Sequence, residues 1–375
     1  MLLGLGGGIG VAYFVFEYKD FTSFYIGGRI NEFVQKEDFL KALFRRLGLA
    51  HEVSETTSEA AAEKQLRAAL EGGGLAIVVL DMVELGYYGL PREWSGMAPH
   101  TVAVASRDGE PAIFDAAPEP FPMSWQDLRR ARAKLRSAKN RMITMASPPA
   151  PVDVPRAAAD AIRQTCRGML EPPMTNFGLP GLEKWAVLLT NEKDKKGWPT
   201  VFSTGPKLFE ALRWLVHWVE ISGTGGGAFR RMYAGFLSEA SGVLGRPELA
   251  EASSRYGRLA GEWTALAEAA LPAAVPPLGR IRELMAERRR LIELRGPAAA
   301  AELAALRQER DRLEAEVKRS FPIAGVDAFL ADVRERVLQL YDGEEAAISL
   351  LRAAVPEAAP GSRTRPRRGP RSPRS

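Results

Sequence analysis

The run Ala98-Pro-His-Thr-Val-Ala-Val-Ala-Ser-Arg107-Asp-Gly-Glu-Pro-Ala-Ile-Phe-Asp-Ala-Ala117 decides how the N-terminal half is read. It has the pattern of a β-hairpin. Asp108-Gly109 fits a two-residue type I′ turn, in which both central residues need positive φ. Residues 101–106 then form the incoming strand and 112–115 the outgoing one. Counting outward from the turn pairs Arg107 with Glu110, Val104 with Ile113 and Val102 with Asp115. Side chains alternate with period two, so His100, Val102, Val104, Ile113 and Asp115 share one face. His100 and Asp115 become diagonal neighbours at about 7 Å, within side-chain reach. A carboxylate beside an imidazole fixes its tautomer and stabilises its protonated form, which is the base-and-orienter half of a catalytic triad. A surface histidine at one strand start and an aspartate at the next strand end would give the same pattern.

The hairpin sits in a chain of 375 residues, 46% of them hydrophobic, enough for two domains with cores. Cys166 is the single cysteine, which excludes a disulfide framework and points to a reducing cytoplasm. His51, His100 and His217 have no metal-ligand spacing, and no metal or other cofactor is expected. The formal charge of +5 comes from the last fifteen residues, which hold six arginines and no acid; without them the body is at −1. A near-neutral body gives no sign of nucleic-acid binding. The longest uncharged apolar run, 1–16, is too short to span a bilayer, carries five glycines and lacks a basic leader, so neither a membrane helix nor a signal peptide is read.

In chain order, Met1 to Gly10 is glycine-rich, but no Gly-x-Gly-x-x-Gly occurs and no strand precedes it, so tight backbone packing is the better account. Strands are expected over 11–18 and 24–29. Phe39, Leu40, Leu43, Phe44 and Leu47 form a helical stripe closed by Gly48. Thr56 and Glu59 read as a capping box for a helix ending near Gly72. Residues 75–82 are a buried strand carrying Asp81, followed by Tyr87, Tyr88 and the hairpin. A helix over 125–139 is capped by Ser124, and 142–146 is a last strand.

Ser147-Pro-Pro-Ala-Pro-Val begins a linker, assigned to 147–153. Beyond it strand patterns nearly vanish. Helices are expected near 154–170, 179–190, 206–221, 228–244, 248–270, 279–294, 298–319, 325–341 and 344–354. The 279–319 stretch, broken at Gly296-Pro297, reads as a charged helical hairpin facing solvent or a partner. The Pro-, Arg- and Ser-rich 356–375 is expected to be disordered. This gives an α+β fold: an N-terminal domain over 1–146 with an antiparallel sheet, then a mostly helical domain over 154–355.

Three groups of residues carry a resemblance. They are Gly4-Leu-Gly-Gly-Gly-Ile-Gly-Val-Ala-Tyr-Phe; Leu80-Asp-Met with the tyrosines after it; and His100-Thr-Val-Ala-Val through Asp115. Together they resemble the N-terminal domain of the butirosin-biosynthesis protein H family. Asn176-Phe-Gly-Leu-Pro-Gly-Leu-Glu-Lys-Trp-Ala and Glu220-Ile-Ser-Gly-Thr-Gly-Gly-Gly-Ala-Phe-Arg-Arg-Met-Tyr resemble the uncharacterised domain that usually follows it. The resemblance covers about 1–350. It implies a papain-like α+β domain and an acyltransferase of antibiotic biosynthesis. Such an enzyme moves an aminoacyl group from an acyl carrier protein to an amine acceptor. The family's His and Asp fall on His100 and Asp115.

The family also places a cysteine upstream of the glycine-rich motif, where this chain starts inside it. Without a thiol the pair has nothing to activate. A start assigned too late, an inactive homologue and recruitment of Cys166 are the three explanations. A truncated first domain should also leave apolar surface exposed over 11–16. The competing class is a non-catalytic homologue that holds a peptide or carrier-bound intermediate.

Other candidates are weaker. Asp81 reads as lining the site or bonding a turn, and Tyr87 and Tyr88 as lining it. The glycine run 223–227 either holds an anion at the next helix or lets two helices approach. Glu220, Arg230, Tyr233 and Glu239 are spaced to face one another around it, and Trp214, Leu215 and Trp218 read as core. Finally, Arg129, Arg130, Arg132, Lys134, Arg136 and Lys139 crowd the helix after the hairpin. Arg129, Arg132 and Arg136 are the expected docking residues for an acidic carrier, with a solvated face as the alternative.

Overall fold

A computed structural model describes residues 1–18, 21–29, 38–145 and 151–357. The fold is α+β, an antiparallel sheet in the N-terminal region followed by a mostly helical region. A short α1 (Leu2–Leu5) precedes β1 (Ala12–Tyr18) and β2 (Phe21–Gly27). Then come α2 (Phe39–Leu47), β3 (His51–Ser54), α3 (Glu59–Leu70), β4 (Leu75–Asp81), β5 (Pro99–Arg107), β6 (Glu110–Phe114), β7 (Phe121–Pro122), α4 (Trp125–Lys134) and β8 (Met142–Met145). The helical region holds α5 (Val154–Leu170), α6 (Gly178–Thr190), α7 (Trp198–Val201), α8 (Gly205–Val216), α9 (Arg230–Leu244), α10 (Glu248–Ala270), α11 (Pro276–Arg295), α12 (Ala300–Arg319) and α13 (Val326–Ala354).

The main sheet runs β3-β8-β4-β5-β6-β7, every pair antiparallel. Asp108 and Gly109 have φ of 52° and 85°, as a type I′ turn requires. One face of the sheet presents Ala76, Val78, Leu80, Val102, Val104 and Ile113, all buried under Leu66 and Leu70 of α3 and Leu128 and Ala131 of α4. Ile292, Ala299 and Leu303, from the α11–α12 hairpin, close the same core. The hairpin expected to face solvent or a partner therefore packs on the sheet domain.

The cores do not follow the boundary drawn at 146. β1 and β2 form a separate two-stranded ribbon, and Tyr13, Phe24 and Ile26 are buried in the helical region's core beside Trp185, Trp198 and Phe202. Trp198 Nε1 donates to the Tyr13 hydroxyl at 3.1 Å, and the Phe24 and Trp198 rings meet edge-on at 5.0 Å. Val11, Ala12 and Tyr13 are buried rather than bare, because the helical region covers them; Phe16 alone of the large residues there is exposed, at 41%. The glycine-rich start packs as tightly as its composition implies. A Cβ on Gly4 would enter the Phe236 ring of α9.

One ion pair stitches this arrangement together. Arg230 and Glu344, both at 0% exposure, meet at 2.6 Å. Arg230 also donates to the carbonyls of Gly10 (2.9 Å) and Ala228 (2.8 Å), and Trp263 Nε1 donates to Glu344 at 2.9 Å. The glycine-rich segment before β1, α9, α10 and α13 thus share one polar node.

Several local expectations change. α3 is capped by Ser58, whose hydroxyl accepts from Ala61 N, while Thr56 accepts from Ser58 N; the Thr56–Glu59 box does not form. β3 carries no strong period-two pattern, and its burial is nearly uniform and exposed. The helices expected over 325–341 and 344–354 are one, α13. Gly343 sits inside it because a Cβ there would lie 2.7 Å from Leu259 Cδ2, so the glycine serves helix contact rather than termination. The helix expected over 125–139 ends at Lys134 and gives way to a 3-10 turn over Arg136–Ala138. Of the linker at 147–153 only 151–153 lie among the described residues, and the tail expected to be disordered lies outside them beyond 357.

Candidate active site

The hairpin register is Val104 opposite Ile113 and Arg107 opposite Glu110, and the ladder stops at Ala103 opposite Phe114. Asp115 is thus the first residue beyond β6, and the expected Val102–Asp115 pair is not part of the ladder. His100 pairs with Leu80 across β4, at the end of the buried face. From there its Nε2 lies 2.8 Å from Asp115 Oδ1. The other carboxylate oxygen accepts from two hydroxyls, those of Tyr87 and, at 3.1 Å, Tyr88. Both tyrosines come from a 3-10 turn over Gly86–Tyr88, and the Tyr88 ring meets the His100 ring edge-on at 5.4 Å. His100, Asp115, Tyr87 and Tyr88 form one cluster.

Asp81 does not join it. Its carboxylate accepts from Val83 N (3.2 Å), Ser95 Oγ (3.2 Å) and Gly96 N (2.6 Å). Strand alternation places it on the opposite sheet face from Leu80 and His100. It closes the base of the 82–98 excursion that carries the two tyrosines, so its role is to position the loop.

The cluster's electrostatics follow from burial and three donors. Burial alone would push the Asp115 carboxyl up, but the hydrogen bonds from His100, Tyr87 and Tyr88 outweigh it and hold the group below the usual carboxylate range. Burial, then the adjacent carboxylate, raise both tyrosine hydroxyls, which stay protonated donors. With Nε2 held by Asp115, Nδ1 is the nitrogen left to exchange a proton, and among the described residues it has no hydrogen-bond partner.

A carboxyl depressed in the folded state stabilises the fold above its unfolded value, near 3.8, and that stability is lost as pH falls through the folded value. Asp115→Asn is therefore expected to lower stability at pH 7 by about 1.5–3 kcal/mol, the worth of hydrogen bonds to a charged group. As pH falls below 3.8 and through the lowered folded value, the difference from wild type should shrink, so the second measurement is made well into that acid range. Urea unfolding at the two pH values checks this; a difference that does not change with pH would mean that the carboxylate's charge carries none of it.

A family model described as "Butirosin biosynthesis protein H, N-terminal" matches residues 1–116, and one described as a domain of unknown function (DUF4872) matches residues 126–293. The chain belongs to the butirosin biosynthesis protein H family. No curated protein matches it. The first match takes in the whole His100–Asp115 cluster. The second begins inside α4, and so includes β8, which lies in the main sheet between β3 and β4.

In this family member Cys166 is remote from the cluster in its surroundings. It lies on α5 in the helical core, 4% exposed, and burial pushes its thiol up to about 12. A thiol so placed is a packing residue. Among the described residues no group of three or more His, Cys, Asp or Glu side chains could hold a metal ion. No helix among them is long and apolar enough to cross a membrane.

The arginines expected to dock a carrier do not form one face. Arg132 is 3% exposed and donates to the carbonyls of Ala62 and Asn140, tying α4 to α3. Arg129 lies between Glu59 and Glu63, each at 3.7 Å, and Arg130 pairs with Glu84 and Asp127. Arg136 is exposed but sits past the helix end. Counting charge along the helix missed that neighbouring elements supply the acids. Around the glycine run, Glu220 accepts from Gly227 N and Thr264, Arg230 pairs with Glu344, and Glu239 pairs with the N-terminal amine. Of the four residues expected to face one another, Glu220, Arg230 and Glu239 bind elsewhere, and the run serves close packing and turning. Sequence reading also missed Arg288, which donates to the Tyr88 carbonyl behind the cluster. Two hundred residues separate the two, and no local pattern carries such a contact.

Proposed function

We propose that this chain is an acyltransferase-like protein of natural-product biosynthesis with a papain-like Cys-His-Asp chemistry, in which His100 is the base and Asp115 its orienting carboxylate. The observation that supports this is the Asp115 contact to Nε2, which leaves Nδ1 open to a nucleophile. A thiol placed at Nδ1 would give its proton to the imidazole, and the thiolate would attack a thioester carbonyl on a carrier. The carrier thiol leaves with the imidazolium proton. An amine then attacks the acyl-enzyme, and His100 carries its proton to the departing enzyme sulfur. Asp115 stabilises the imidazolium in both halves.

The chain's own thiol, Cys166, is buried in the other core, so the chain as it stands lacks the nucleophile. That placement also favours a second reading, in which this member holds a carrier-bound or peptide intermediate without turning it over. An aminoacyl thioester and an amine acceptor, assayed with three proteins, separate the two. This chain and its Cys166→Ala variant are expected to be inactive. Where a longer coding sequence supplies a cysteine ahead of Met1, the extended protein made from it is expected to gain turnover that thiol alkylation and His100→Ala both abolish. Activity in this chain that survives Cys166→Ala would remove the cysteine mechanism. Extended protein that binds the thioester without turnover would establish the holding role.

A further inference from the structure

The α11–α12 hairpin is rich in arginine, and most of its guanidinium groups have a carboxylate. Arg280 pairs with Glu309 at 2.8 Å, Arg289 with Glu293 at 3.8 Å, Arg295 with Glu302 at 2.9 Å and Arg310 with Glu314 at 3.2 Å. Arg288 and Arg307 differ. Among the described residues neither has a carboxylate within 4.0 Å. Their only hydrogen bonds there go to two consecutive backbone carbonyls, Arg288 to Tyr88 and Arg307 to Gly89 at 3.5 Å. A guanidinium has five N–H donors, so one carbonyl leaves most of its capacity unused.

The two groups also grip the same turn. They come from different helices onto one turn, and Gly89, at φ 56°, has no Cβ because one would lie 2.6 Å from Arg307 Cζ. Burial and the like charges of Arg310 and Arg307 lower the Arg288 group to about 10. Charge held out of water without a counter-ion is unfavourable unless a ligand supplies one. Two guanidinium groups on consecutive carbonyls, each with donors to spare, match an oxyanion of double charge better than a single carboxylate. The turn they grip is the one that carries the cluster. The Tyr88 carbonyl takes Arg288, while its hydroxyl donates to Asp115 and its ring lies against His100.

We propose that Arg288 and Arg307 form a phosphate-binding site that seats a phosphate-bearing ligand at the turn carrying Tyr87 and Tyr88. The site requires no thiol and no turnover, so it stands or falls separately from the transfer reading. Phosphate could arrive as a free ion or small ester, or as the phosphodiester that tethers a carrier's thiol arm. The shared chemistry is the phosphoryl oxyanion held by two guanidinium groups.

Calorimetric titration of the full chain at fixed ionic strength tests it, with inorganic phosphate, 4′-phosphopantetheine and pantetheine as probes. Inorganic phosphate is expected to bind saturably and to raise the thermal midpoint, with chloride at equal ionic strength doing neither. Arg307→Gln, at a half-buried position, is expected to weaken binding by about tenfold or more. Arg290→Gln, exposed on α11, the helix of Arg288, should leave it unchanged. Phosphopantetheine binding more tightly than phosphate, with pantetheine not binding, would identify a carrier arm as the source; equal affinity for the two phosphates would identify a free phosphate or small ester. Absence of saturable phosphate binding, or equal affinity in wild type and Arg307→Gln, would overturn the proposal. Arg288→Lys gives a second reading that keeps the buried charge but not the fork: phosphate affinity should fall while the folded midpoint without phosphate stays close to wild type.

Discussion

Glu344→Ala is expected to destabilise the protein by about 3–5 kcal/mol, the usual result of stripping one partner from a buried ion pair. The size follows from the placement of Arg230, which has no exposure to water and loses its 2.6 Å carboxylate contact. Trp263 Nε1 loses its acceptor in the same substitution. The guanidinium would keep its bonds to the Gly10 and Ala228 carbonyls, so it cannot swing out to solvent. A double variant, Arg230→Met with Glu344→Leu, should cost less than the single one because no charge is left uncompensated, although those carbonyls then lose a donor. Urea denaturation gives both numbers. A single-variant cost below about 1 kcal/mol would mean that water reaches the node.

The second large effect is a pH dependence at His217. Burial, reinforced by Arg213, Arg288 and Arg310, lowers the imidazole to about 3, against an ordinary 6.5. Its ring lies edge-on to Trp214 and to Trp218, each at 5.0 Å, in the last turn of α8 and the π turn over His217–Ile221. The folded state keeps the ring neutral while the unfolded chain protonates it. Between pH 6.5 and about 3 the unfolded state therefore binds the extra proton, and stability falls as pH falls, by up to about 1.4 kcal/mol per pH unit. Above pH 6.5 this contribution is flat. His217→Phe keeps the ring contacts and removes the titration, so it should flatten the profile over that window. Unfolding free energies at pH 7, 6, 5 and 4 for both proteins check it; parallel curves would show that other groups carry the acid sensitivity.

Much of the cluster was legible because its determinants are local. Asp108-Gly109 sets a turn, the turn sets the register, and the register carries His100 to Asp115 across a few residues. Tyr87 and Tyr88 could be placed near it because they lie just before the hairpin, yet their convergence on one carboxylate oxygen depends on an excursion that Asp81 closes from the far sheet face. Helices announced themselves by periodicity, and α5 and α10 have the bounds expected of them. What failed was partnership at a distance. A glycine in α13 looked like a break because Leu259, which needs the space, is far along the chain. Arg132 looked like a docking residue because the carbonyl it holds belongs to Ala62. Arg288 and Arg307 looked like ordinary members of a charged hairpin because the turn they grip is two hundred residues earlier.

The same distance shapes how the chain comes to be folded. The ribbon of β1 and β2 finds its cover only in residues such as Trp185, Trp198 and Phe236, which leave the ribosome long after it does. At about 5–20 residues per second, the wait is on the order of ten to thirty seconds. During that interval an aromatic hairpin edge stands open to pairing with other nascent chains. The main sheet can pair its strands meanwhile, since they all lie within residues 51–145, although the α11–α12 hairpin that completes its core comes later still. Synthesis thus runs opposite to burial here: the ribbon is made well before the residues that shelter it, and a holding chaperone would act on it in that interval.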